Sequence, residues 1–218
     1  MKHNILKKIF EFLKENENNN APFLWKWVSN EPLTEDDLHI NGDLYLSENQ
    51  KLKSLPKGLK VRGNLDLSSC KNLTSLPEGL EVGGNLTLDD SNITSLPKGL
   101  KVGGDLYSSF TSIKVLPEDL LVNGGITLTF SHIESLPEGF TFNGYLSVNK
   151  CKKLKSLPKG LKITHHMDLQ GTPIEFLPKG LEVGHNFTIS DTPLTKYTDD
   201  EIREMIAPGF INGIIIRD

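Results

Sequence analysis

The side chains with the most reactive potential cluster late in the chain. His165 and His166 are followed twenty residues later by His185, and Asp168 lies two residues past His166. Imidazoles would suit a transition metal. Two coordinating rings and a loose carboxylate do not complete a site, so the sequence implies no metal. The rings are expected to fill a widened turn of the chain. Carboxylates are the next candidates. Retaining sugar hydrolysis needs two carboxyls about 5 Å apart, which here means one row of neighbouring repeats. Asp66 is flanked in its row by Tyr45 and Thr87, and Asp168 by Ser147 and Thr188. No nucleophile with a placed base, phosphate loop or Cys-x-x-Cys spacing occurs. The expectation is therefore no enzyme and no cofactor.

What remains is chemistry of recognition. Two outward rows recur at the repeat spacing. One is Tyr45, Asp66, Thr87, Tyr107, Thr127, Ser147, Asp168 and Thr188; the other is Asp43, Asn64, Asn85, Asp105, Gly125, Tyr145, His166 and Asn186. Phe110 and Phe130 share one phase in adjacent repeats and should sit side by side. Aromatic side chains are enriched where binding energy concentrates. The expected partner-binding set is Tyr45, Asp66, Tyr107, Phe110, Phe130, Tyr145, His166 and Asp168. The alternative for the two phenylalanines is that they tuck under the sheet edge. Lys150, Lys152, Lys153, Lys155, Lys159 and Lys162 read as a solvated edge.

A tandem repeat must position these groups. Leu-Pro pairs begin at Leu55, Leu76, Leu96, Leu116, Leu136, Leu157 and Leu177, spaced 20 or 21 residues apart. So short a fixed period signals a solenoid whose coils bury their apolar sides only by stacking. Apolar and small residues alternate along each unit, as in Leu80, Val82, Gly84, Leu86 and Leu88. Period-two alternation means extended chain with one buried face. The predicted fold is a β-rich solenoid: a right-handed coil with one parallel sheet, a helix-poor convex side and short helical caps at both ends. Residues 1–38 form the first cap, 39–197 eight units of 20–21 residues, and 198–218 a helix–strand cap.

Each unit then turns a corner at a small residue: Asn49, Cys70, Ser91, Thr111, Ser131, Cys151, Thr172 or Thr192. Its short polar side chain is expected to bond unpaired corner amides. Cys70 and Cys151 lie four coils apart, roughly 19 Å at ~4.8 Å per coil, beyond disulfide reach. Both read as buried thiols, which suits a reducing cytosol. The return segment is Leu-Pro-x-Gly-Leu, with glycine permitting a positive φ. Asp119 replaces that glycine once, and Asp tolerates the left-handed region. In the fourth unit Ser108 replaces the second strand leucine, which predicts a register change or a small pocket.

The pattern resembles the leucine-rich repeat, carried here by Leu86-x-Leu88-x-x-Ser91-x-Ile93 and Leu65-x-Leu67-x-x-Cys70. Its short Leu-Pro form is similar to repeats of type-III-secreted bacterial effectors and of phage and viral leucine-rich proteins. The resemblance covers roughly residues 39–197. It implies a protein-interaction module acting on a host or defence protein. Secreted ligase effectors of this kind carry a further catalytic domain, and none is expected among these 218 residues. The alternatives are a structural or assembly subunit and, less favoured, a carbohydrate-active enzyme.

At the ends, residues 2–16 read as an amphipathic helix, with Leu6, Ile9, Phe10 and Leu13 on one stripe. Trp25 and Trp27 supply bulk for covering the first coil, and at least one is expected in the core. Thr198-Asp199-Asp200-Glu201 is a capping-box signature. Ile214, Ile215 and Ile216 then form a last extended piece covering the sheet edge. A formal charge of −4 argues against a general nucleic-acid binder. No targeting segment and no membrane span is evident, so a cytoplasmic location is expected.

Overall fold

The computed structural model describes Phe23, Lys26, Trp27 and residues 31–217. The chain is a parallel β-solenoid, poor in helix, in which each coil lays its strands beside those of the coil before. Strands are two residues long, yet they pair coil after coil because the sequence repeats in phase. Leu44, Leu65, Leu86 and Leu106 are register partners along the stack, as are Tyr45, Asp66, Thr87 and Tyr107. Leu65, Leu86 and Leu106 are fully buried, the outcome that period-two alternation requires.

The alternating stretch is not one strand. It bends at the glycine column of Gly63, Gly84 and Gly104, and each coil contributes two strands. The second of each pair forms a nine-stranded sheet running from Leu44–Tyr45 to Ile215–Ile216, here called the leucine ladder. The first of each pair forms the valine ladder, in two pieces. Five strands run from His39–Ile40 to Leu121–Val122, and four from Thr141–Phe142 to Phe210–Ile211.

The gap follows the unit whose return segment lacks glycine. Gly58, Gly79, Gly99, Gly139, Gly160 and Gly180 all have positive φ, but Asp119 does not take the left-handed conformation that its position suggested. Its carboxylate instead accepts the Gly99 N–H at 3.0 Å. The chain thus enters Leu121–Val122 by a different path from its neighbours.

The corner residues are buried as expected, with Asn49 the exposed exception. Two of them accept backbone amides as expected, Asn49 Oδ1 from Lys51 N at 3.0 Å and Thr192 Oγ1 from Leu194 N at 3.3 Å; elsewhere the chemistry is the reverse. The hydroxyls donate to carbonyls of their own coil: Thr111 to Ser108 O at 2.9 Å and Thr172 to Leu169 O at 2.7 Å. The thiols reach down one coil, Cys70 to Leu46 O at 3.0 Å and Cys151 to Leu128 O at 2.9 Å. Backbone turns already satisfy the corner amides, as in Cys70 N to Leu67 O and Ser131 N to Leu128 O, and carbonyls such as Leu128 O take the side chain as a second donor. Burial pushes both thiols up, keeping them protonated. Ser108 causes no register change. It is fully buried, pairs its hydroxyl with Thr111 at 3.1 Å, and its N–H bonds Thr127 O at 2.8 Å.

At the far end, α1 (Asp199–Ile206) opens with the capping box between Thr198 and Glu201. Phe210–Ile211 and Ile215–Ile216 pair with Glu182–Val183 and Phe187–Thr188, covering the edge as predicted. Arg203 of α1 then directs one fork of its guanidinium to Ile211 O and the other to Gly213 O, the latter at 3.1 Å. In lower coils the corresponding carbonyls, such as Val61 O and Gly63 O, accept amides from the coil above. At the near end, Phe23 is buried and stacks on half-buried Trp27 at 5.7 Å. The predicted helix at 2–16 and Trp25 lie outside the described residues.

Candidate interaction surface

The leucine ladder presents the outward rows singled out in the sequence, and the two rows have different jobs. The row starting at Asp43 is largely structural. Asp43 Oδ1 accepts Asn64 N at 2.7 Å, Asn64 Oδ1 accepts Asn85 N at 2.8 Å, Asn85 Oδ1 accepts Asp105 N at 2.8 Å, and Asp105 Oδ1 accepts Gly125 N at 2.7 Å. Each side-chain oxygen occupies the space that a Cβ would take one coil on. A Cβ at Gly63, Gly84, Gly104 or Gly124 would lie only 2.1–2.4 Å from that oxygen. The glycine column and the Asp/Asn column are therefore one device. Where the lower coil offers Tyr145 or His166 instead, the glycine position of the next coil holds His165 or His185.

Those histidines do not fill a widened coil. His165, His166 and His185 are exposed. The His165 and His185 rings stack at 5.4 Å, and His166 lies 5.1 Å from His185. His166 Nδ1 accepts the Asn186 N–H at 3.3 Å, standing in for the asparagine oxygen of other coils. Among the described residues no group of three His, Cys, Asp or Glu side chains is placed to hold a metal.

Tyrosines occupy the middle of the face. Tyr107 Oη donates to Asp105 Oδ2 at 2.8 Å, and Tyr45 makes the same contact to Asp43 at 2.7 Å. The ring of Tyr145 lies over Gly125, where a Cβ would come within 2.2 Å of it. The Tyr145 hydroxyl, with the Asp105 carboxylate, pushes the Tyr107 hydroxyl far above its ordinary range. Tyr107 and Tyr145 are thus joined across one coil and half-buried. Asp66 accepts from its neighbour Ser68 through both N–H and hydroxyl. Asp168 accepts from Ser147 Oγ at 3.3 Å, Asn149 Nδ2 at 3.2 Å and Gln170 N at 2.8 Å. Both carboxylates are tied into the sheet surface, Asp168 more completely.

The corner beside this face carries the exposed aromatics. Its third turn residue has positive φ in every coil from Glu48 to Asp191. Six of those eight residues are Glu, Ser, Asp, Lys or Gly; the other two are Phe110 and Phe130, with φ of 56° and 57°. A bulky side chain in the left-handed region is an outlier that carries strain. The two rings stack at 4.9 Å and 15°, and Lys150 Nζ sits 5.0 Å from the Phe130 centroid. They do not tuck under the sheet: Phe110 is 58% exposed and Phe130 44%. The shared phase of the pair was legible in the sequence. Their backbone strain was not, because phenylalanine is no turn signal. Most of the lysine cluster is paired, including Lys152 to Gly171 O at 2.5 Å and Lys162 to Glu182 at 2.9 Å.

The chain matches no protein-family model, and neither curated proteins nor solved structures yield a match. The repeat-protein architecture is what the fold defines. Among the described residues no helix is long and apolar enough to cross a membrane.

Proposed function

We propose that this chain is a non-catalytic interaction module of the short leucine-rich-repeat type, holding a partner protein across the leucine-ladder face. The observation that carries the reading is the Phe110–Phe130 pair: stacked, exposed and held in a backbone conformation that costs roughly 1–2 kcal/mol per residue. Strain of that kind collects at working surfaces. The resemblance to effector and phage repeats supplies the partner class, a host or defence protein met in a cell's cytoplasm.

The geometry also narrows the contact. Each ring spends one face on the other, and Phe130's second face meets Lys150. The pair therefore offers ring edges, the outer face of Phe110 and a nearby ammonium. That suits an apolar cleft rimmed by carboxylates. Tyr107 and Tyr145 extend the surface with hydroxyls.

The test is capture from host lysate on immobilised protein, with wild type beside Phe110→Ala/Phe130→Ala and Lys150→Ala. The double variant should lose the species that wild type retains, and Lys150→Ala should weaken it several-fold, both with unchanged circular dichroism. Equal retention by the double variant overturns this face. Self-association growing with concentration in sedimentation runs would favour the assembly-subunit reading.

A further inference from the structure

The five-stranded piece of the valine ladder carries a concavity of its own, lined by none of the leucine-ladder residues. It is a trough of about 530 Å³ lying between two outward rows. One wall is Lys60, Glu81 and Lys101, register partners in successive coils. The facing row is Arg62, Gly83, Gly103 and Asn123. The two glycines leave that side bare between an arginine and an asparagine. The trough ends at Leu121, where the ladder itself breaks off.

Its charge is opposite to that of the chain. Glu81 is shared by two lysines, at 2.8 Å from Lys101 and 3.6 Å from Lys60. Arg62 is exposed and forms no ion pair among the described residues. Two positive charges are left over in a molecule of formal charge −4. At the other end Leu121 is 58% exposed. Five strands at ~4.8 Å spacing make the trough roughly 19 Å long, about six residues of extended chain at ~3.4 Å each.

We infer that this trough is a second binding site, for an extended acidic peptide segment of a partner. Carboxylates at one end meet Arg62 and Lys60, and an apolar side chain at the other meets Leu121. The lining offers a nucleic-acid base only His39 and the Arg62 guanidinium to stack on, and no Phe, Tyr or Trp. A uniform polyanion would leave Leu121 unused. The site is independent of the phenylalanine pair.

The probe is a fluorescein-labelled hexapeptide with two consecutive glutamates and a leucine three residues later, read by anisotropy at low salt. Arg62→Gln should weaken binding about tenfold, as loss of a charge-assisted contact does. Leu121→Ser should weaken it several-fold. Glu81→Gln should tighten it, because it removes the competing carboxylate. Phe110→Ala/Phe130→Ala should bind as wild type does. No binding at millimolar peptide, no gain in Glu81→Gln, or tighter binding of a single-stranded oligonucleotide at equal ionic strength would each overturn the assignment.

Discussion

The two ladders are built from the same repeats, yet one is continuous over nine strands and the other is split. The leucine ladder is supported on both flanks. On one side the Asp/Asn column adds a side-chain hydrogen bond in several coils. On the other, the left-handed corner residue donates its N–H upward, as Phe110 does to Thr129 O and Phe130 to Asn149 O, both at 2.9 Å. The valine ladder has fewer such aids. It is entered from a return segment whose shape depends on one glycine, and it breaks beside the unit that lacks it. Redundant hydrogen bonding is what lets the leucine-ladder side carry two strained phenylalanines. The plainer ladder carries exposed charge pairs, which contribute little individually.

Breaking the reinforced side should give the largest effect. Gly84→Ala puts a methyl 2.4 Å from Asn64 Oδ1 and 2.9 Å from the Gly63 carbonyl carbon. It should cost about 3 kcal/mol in urea unfolding, in the range of overpacking. Adding Asn64→Gly should recover part of that loss, since the oxygen leaves with the side chain. A double variant as damaged as the sum of the singles would refute the coupling of the two columns.

A smaller effect should come from Asp89, whose carboxylate accepts Ser109 N at 2.6 Å while burial raises its pKa. A raised folded pKa penalises the charged form, so Asp89 opposes folding at neutral pH and that penalty fades on acidification. Asp89→Asn keeps an acceptor oxygen and should raise stability at pH 7, read as a higher urea midpoint. The gain should shrink as pH falls through the Asp range. The opposite case is Asp43, lowered chiefly by the Asn64 N–H. Its contribution is present above the ordinary Asp pKa and lost as pH drops below it. A gain for Asp89→Asn that is flat from pH 7 to 3 would rule out this account.

The smallest effect should sharpen the contrast. Asp119→Gly restores the common return segment and should close the gap between Leu121–Val122 and Thr141–Phe142. The expected gain is below 1 kcal/mol, since glycine also loosens the unfolded chain. Slower amide hydrogen exchange at Thr141–Asn143 is the sensitive readout. Unchanged exchange would mean that the break has another cause.

Much of this was legible in the sequence because a repeat averages out local ambiguity. Seven Leu-Pro pairs fix the coil, and the shared phase of Phe110 and Phe130 fixes their contact. Alternation, however, records burial and not hydrogen-bond direction. It runs unchanged through the bend at Gly84, so two strands read as one. The Asp43 row looked like ligand-facing polarity because the partner of each side chain is a backbone amide one coil away. His165 and His185 were expected to fill a widened turn; they stand in the glycine column, and the missing Asp/Asn below them leaves room for a side chain that points out.

Arg203 gives the stack a definite height. A coil of this kind has no inherent last member, since every top is a fresh bottom for another. The guanidinium answers the two carbonyls that would otherwise invite a successor, and it does so from α1, outside the repeating units. Whole units can therefore be gained or lost from the interior while the lid stays the same. The molecule's reach is thus free to change in steps of one coil without redesign of its end.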